Sequence, residues 1–132
     1  MKVYFIDAKH ELICETNVKN WEHKCEVINA RNLERLYKQI NGNDIWFDEE
    51  GKLKQSNYFF TIDGMEICGN AIINGEKNYE DSDVANLTLE ELQSRVKFSG
   101  ERYITDDDIK FEIMEWKIWT TILHQDLEQL LC

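Results

Sequence analysis

Residues 58–73 constrain the fold more than any other stretch. Tyr58-Phe59-Phe60-Thr61-Ile62 is a run of aromatic and β-branched side chains, Asp63-Gly64 is a dipeptide that tolerates positive φ, and Met65 to Ile73 is apolar again. That order predicts two antiparallel strands joined by a tight turn. Asn74-Gly75 would close the second strand with another turn.

The same reasoning extends toward the N-terminus. Lys2 to Asp7 and Glu11 to Asn17 both carry β-branched and aromatic residues, and the polar Ala8-Lys9-His10 between them reads as a hairpin connection. Cys25 to Ile28 is expected as a further strand, and Ile45-Trp46-Phe47 as a short one followed by the turn Asp48-Glu49-Glu50-Gly51. Between these, Leu33, Leu36, Tyr37 and Ile40 recur at three and four residues, which predicts a helix capped by Asn32 and stopped near Gly42.

Glu76 to Asn86 is polar and aperiodic, so it is expected as a surface loop. Thr88-Leu89-Glu90-Glu91 matches a capping box and predicts a helix to about Val96, ended by Ser99-Gly100. From Thr105 to Cys132 there is neither Gly nor Pro, and Ile109, Ile113, Trp116, Thr120, Leu123, Leu127 and Leu130 form a helical stripe. The expectation is one long C-terminal helix over roughly 106–130, with Asp106, Asp107 and Asp108 in its first turn, where the dipole favours negative charge. A strand over 109–119 competes, because Ile109, Phe111 and Ile113 also alternate. The fold class that follows is α+β: a single domain over 1–132, mainly antiparallel sheet packed with two or three helices. A chain of 132 residues with 42% hydrophobic side chains has enough apolar material for one core.

Charge is the strongest functional clue. The net charge is −11, and it is unevenly placed. Residues 1–47 carry seven basic and seven acidic side chains, whereas residues 48–132 carry eight basic against nineteen acidic ones. The excess gathers in Glu80, Asp81, Asp83, Glu90 and Glu91, and again in Asp106, Asp107 and Asp108. Such a field repels nucleic acid and anionic membrane and accelerates encounter with a basic partner. It serves solubility as well. No run approaches the length of a membrane span and the N-terminus does not read as a signal peptide, so a cytoplasmic protein is expected. The absence of Pro and the frequency of Asn, Ile, Lys and Glu fit an AT-rich genome, such as that of a phage or a low-GC bacterium.

No motif announces chemistry. Gly64 and Gly69 have phosphate-loop spacing, but Asn70-Ala71 stand where Lys and Ser or Thr are required. Asp81-Ser82-Asp83 opens like a calcium loop, yet Asn86 replaces the turn glycine and Leu92 the bidentate acid. His10, Cys14, His23 and Cys25 are a zinc-competent set of residue types at spacings that match no zinc module. Neither a metal nor a cofactor is expected, and no catalytic residue is assigned.

The expectation is therefore a non-enzymatic acidic binding protein. It would block the basic surface of a partner such as a nuclease, in the manner of phage anti-defence proteins, anti-CRISPR proteins among them, or of toxin-immunity proteins. The residues expected to touch the partner are Glu80, Asp81, Asp83, Glu90, Glu91, Asp106, Asp107 and Asp108, with Trp116 and Trp119 as aromatic anchors. Two alternatives stand beside it. One is a self-associating adaptor that dimerises through the C-terminal helix, and the other is a small enzyme built on His10 or His23 and a thiol.

Overall fold

Lys2–Asp7 (β1) and Leu12–Asn17 (β2) form the expected N-terminal hairpin, with Phe5 opposite Cys14 at its centre. The computed structural model describes residues 1–51 and 58–104. It divides into two units, Met1–Arg102 and Tyr103–Cys132, and the account below is of the first. The expected C-terminal helix over 106–130, like its strand alternative, lies outside the described residues.

The elements that follow are Trp21–Ile28 (α1), Leu33–Arg35 (β3), Asn43–Asp48 (β4), Tyr58–Ile62 (β5), Met65–Cys68 (β6), Ala71–Lys77 (β7), Glu80–Ser82 (β8), Leu89–Arg95 (α2) and Val96–Glu101 (β9). The larger sheet runs β2-β1-β7-β4-β3, and β8 joins β7 where β1 leaves it; the smaller sheet runs β6-β5-β9. All the pairings are antiparallel. The architecture is α+β, mostly antiparallel sheet with two helices among the described residues.

Period-two alternation divides the larger sheet into two apolar faces. Tyr4, Ile6, Ile45, Ala71 and Ile73 point toward the smaller sheet, where they meet Phe60, Ile62, Ile67 and Val96, with Leu92 of α2 and Ile40 closing the layer. Val3, Ile72 and Leu33 point the other way and are covered by Ile28 and Cys25 of α1. Phe60, Ile62, Ile72 and Ile73 are completely buried, and burying each contributes about 1.5–3 kcal/mol relative to leaving it exposed. Near the base of the sheet the Asn43 side chain substitutes for a strand neighbour. Its Nδ2 donates to the Ala85 carbonyl at 2.6 Å and its Oδ1 accepts from the Ala85 N–H at 2.9 Å.

Several expectations are corrected. Cys25 to Ile28 is not a strand but the end of α1, because Asn20 caps the helix, accepting from the His23 N–H at 2.9 Å, and Asn29 ends it in the left-handed region at φ 63°. Residues 32–40 are not a helix. Leu33–Arg35 pairs with Asp48–Trp46, and Asn41-Gly42, at φ 48° and 79°, turns the chain tightly between Ile40 and Asn43. Met65 to Ile73 is two strands in two sheets, divided at Gly69, whose φ of 91° breaks the extended run. Asn74-Gly75 is not a turn but the middle of β7. Gly75 is there for clearance, since a Cβ would press on the Asp83 carbonyl and lie 2.8 Å from Ser82 Oγ. The expected loop 76–86 contains β8. After α2 the chain enters β9 at once, and Ser99-Gly100 is a bulge opposite Phe59 and Phe60, not a helix stop.

Candidate interaction surface

The strands β7 and β8 form an acidic hairpin, and its carboxylates do different work. Asp81 meets Lys24 of α1 at 2.5 Å; the ammonium is completely buried and also lies 5.1 Å from the centre of the Trp46 ring. This pair fastens α1 to the sheet. Asp83 accepts from the backbone N–H of Lys2 at 2.8 Å and so holds the start of β1. Glu80 is exposed and makes no ion pair among the described residues.

Glu90 and Glu91 sit in the first turn of α2, capped by Thr88, whose hydroxyl accepts from the Glu91 N–H at 3.1 Å. Leu92 anchors that helix in the core on the side of the larger sheet away from α1. The sheet therefore separates Glu90 and Glu91 from the Asp81 carboxylate. Asp106, Asp107, Asp108, Trp116 and Trp119 lie outside the described residues, as does the helix proposed for dimerisation.

Some of the cations are committed to ion pairs. Lys2 pairs with Glu15 at 3.1 Å, Arg95 with Asp63 at 2.5 Å and Arg102 with Glu66 at 2.6 Å, in addition to the buried Lys24. The Arg95 guanidinium holds the Asp63 carboxyl below its ordinary pKa and is itself raised by that carboxylate.

A groove of about 750 Å³ opens on the α1 side of the larger sheet, between β3, β4 and the β7–β8 hairpin. Its floor is Asp44, 2% exposed, and its walls include Tyr37 and Tyr79, 81% and 98% exposed. Gln39 Nε2 donates to Asp44 Oδ1 at 2.9 Å and to Glu76 Oε2 at 3.4 Å, bringing two carboxylates to one neutral donor. Arg35 Nη1 pairs with Asp44 Oδ2 at 4.0 Å.

A smaller cleft of about 190 Å³ is lined by Asp7, His10, Asp48, Tyr58 and Asn70 at the end of β1. His10 Nδ1 lies 2.8 Å from Asp7 Oδ2, and the Asp7 Oδ1 accepts the His10 N–H at 3.2 Å, which is how an aspartate closes a hairpin turn. Neither Cys14 nor Cys25 lines this cleft. Cys25 sits in α1, where burial and the Glu22 carboxylate raise its thiol pKa, opposite to what a nucleophile needs. His23 accepts from the Lys19 N–H through Nδ1 at 3.0 Å. Among the described residues no three His, Cys, Asp or Glu side chains are grouped to hold a metal ion, and no helix is long and apolar enough to cross a membrane.

No family model, curated protein or solved structure matches this chain. The reading of function therefore rests on its own side chains. Of those that matter at the groove, Arg35, Tyr37, Gln39, Asp44, Glu76 and Tyr79 were not singled out by the sequence. Tyr37 fell on the apolar stripe of a helix that does not form. Tyr79 carried a usable signal, since it follows Asn78 in the turn between β7 and β8.

Proposed function

We propose that this is a non-enzymatic acidic protein that docks on a basic, nucleic-acid-handling surface of a partner protein and blocks it. Phage inhibitors of bacterial defence nucleases, anti-CRISPR proteins included, and nuclease-toxin immunity proteins act in this general way. What carries the reading is the fate of the charges. Lys2, Lys24, Arg95 and Arg102 each pair with a carboxylate, and because acidic side chains outnumber basic ones by eleven, a surplus of acids, Glu80 and Glu90 among them, stays exposed to solvent. Unneutralised surface carboxylates steer a cationic partner and raise its association rate by roughly 10–1,000-fold, an effect that salt removes.

The experiment is capture from the cytosol of the host with the immobilised full chain, followed by association kinetics on the isolated basic partner. Replacing Glu80, Glu90, Asp106, Asp107 and Asp108 by their amides should slow association about tenfold at low salt and leave it unchanged at high salt. Nucleic acid should compete with the wild-type chain. Association at low salt that is indifferent to the five replacements would remove the electrostatic basis of the proposal.

A further inference from the structure

Among the described residues, the outer edge of β2 is the long, regular sheet edge that the fold leaves open. The larger sheet also ends in β3 and β8, of three residues each, and the smaller sheet ends in the four-residue β6 and in β9, which carries the bulge at Ser99-Gly100. Short strands and bulges blunt an edge against pairing, as do proline and lysine. β2 has six residues, neither proline nor lysine, and an unbroken register with β1.

Which backbone groups face that edge follows from the hydrogen bonds at the end of the hairpin. The Met1 amino group donates to the Val18 carbonyl at 2.9 Å and the Val18 N–H donates to the Met1 carbonyl at 2.9 Å, so the two residues face each other as a hydrogen-bonded pair. Such pairs alternate along an antiparallel ladder, and the register makes Val3–Thr16, Phe5–Cys14 and Asp7–Leu12 the hydrogen-bonded ones. The N–H and C=O groups of Ile13 and Glu15 therefore point away from β1, and no strand among the described residues takes them. Leu12, Cys14 and Thr16 share the face of Val3 and Phe5; Leu12 is 58% exposed and Cys14 is exposed as well.

We propose that this edge pairs with the same edge of a second copy, the two β2 strands running antiparallel about a twofold axis at Cys14. The inference is independent of the reading under Proposed function. An axis there joins Ile13 of each copy to Glu15 of the other as hydrogen-bonded pairs, using the groups that β1 leaves over, and lays Leu12 against Thr16 across the interface. Neighbouring axes fit worse. One at Ile13 sets Glu11 opposite Glu15, and one at Glu15 sets that residue opposite itself, and like charges directly opposite destabilise a pair. Charge also favours a second copy as the occupant. Residues 1–47 carry as many basic as acidic side chains and Glu15 is paired with Lys2 at 3.1 Å, so this edge offers little to a cationic partner and little repulsion to its own twin.

The test uses the full chain carrying Cys132→Ser, which removes the terminal thiol. Sedimentation equilibrium up to roughly 1 mM protein should show a reversible monomer–dimer equilibrium. Mild oxidation should trap the dimer through Cys14 of both copies, since a non-hydrogen-bonded pair brings the two Cα atoms within disulfide range. With Cys14→Ser added, a Leu12→Cys chain should cross-link to a Thr16→Cys chain and not to another Leu12→Cys chain, a pattern that random collision would not give. Cys14→Lys should weaken dimerisation by roughly fivefold and Cys14→Val should retain it, with the melting temperature of the monomer changed little because the position is exposed. Dimerisation should tighten as salt rises, because two chains of net charge −11 repel each other, whereas capture of a basic partner weakens. A chain that stays monomeric at every concentration, self-association that is indifferent to Cys14→Lys or weakened by salt, or Leu12→Cys chains that cross-link among themselves as readily as with Thr16→Cys chains would overturn the inference. That failure would leave Proposed function standing, since the association kinetics on a basic partner do not involve this edge.

Discussion

Asp63 shows how one side chain takes on a structural and an electrostatic task together. Its backbone, at φ 49°, begins the β5–β6 turn, and its carboxylate receives Arg95 Nε at 2.9 Å and Nη2 at 2.5 Å from the end of α2. Arg95 extends the contact through Nη1 to Asn41 Oδ1 at 2.9 Å, so one guanidinium joins two turns to one helix. The sign of the pH effect follows from the direction of the shift. The folded pKa of Asp63 is depressed, so its contribution is present above the unfolded value of about 4 and is lost as pH falls through the lower folded value. Asp63→Asn keeps a residue that tolerates positive φ and removes only the charge. It should lower Tm at pH 7 and leave a shallower decline below about pH 4, read from thermal melts between pH 2 and 7. Parallel wild-type and mutant acid limbs would show that the pair contributes nothing. Because both partners are partly exposed, the effect belongs with ordinary surface pairs.

The Lys24–Asp81 contact belongs to the scale of elements, because it is how a two-turn helix is kept on a sheet. Helix α1 has only Lys24 and Ile28 buried, which is little apolar area for a helix of eight residues. Removing Asp81 would leave a fully buried ammonium beside Trp46. Asp81→Ala should therefore cost about 2–3 kcal/mol, at the low side of what breaking a buried pair costs because Asp81 is itself partly exposed. Adding Lys24→Met should recover most of the loss, and urea titration of the two single variants and the double variant gives the coupling directly. Additive losses would mean that the pair is not what fastens the helix. The same helix marks where sequence reading stops. Cys25 to Ile28 is locally strand-like, and only Asn20 and Asn29, as caps at a spacing of nine residues, disclose the helix. The stripe through Leu33 and Ile40 erred the opposite way. Its period is helical, but pairing with β4 and the Asn41-Gly42 turn overrode it. The hairpins over 2–17 and 58–68 and the Thr88 cap were legible because their signals are local. The passage of β6 into β7 across two sheets was not, because a single glycine decides it. The groove was illegible for the same reason, since it joins β3, β4 and β7 across distant parts of the chain.

At the scale of the whole molecule, the surplus of eleven negative charges sets the response to salt. Two effects oppose each other. Exposed pairs such as Lys2–Glu15 and Arg102–Glu66 weaken as salt rises, but each is worth less than about 1 kcal/mol, and the buried Lys24 is shielded from solvent ions. Repulsion among the unpaired carboxylates acts over the whole surface and is relieved by the same ions, whose Debye length falls from about 30 Å at 0.01 M to about 10 Å at 0.1 M. The second effect involves more charges than the first, so added salt should stabilise the fold. Tm at pH 7 should rise by several degrees between 0.01 and 0.5 M sodium chloride, and by less at pH 5, where the net charge approaches zero near the pI of 4.7. A Tm that falls with salt at pH 7 would mean that attraction between fixed pairs outweighs the repulsion. The negative surface would then be a mosaic of local pairs with no long-range field to steer a partner.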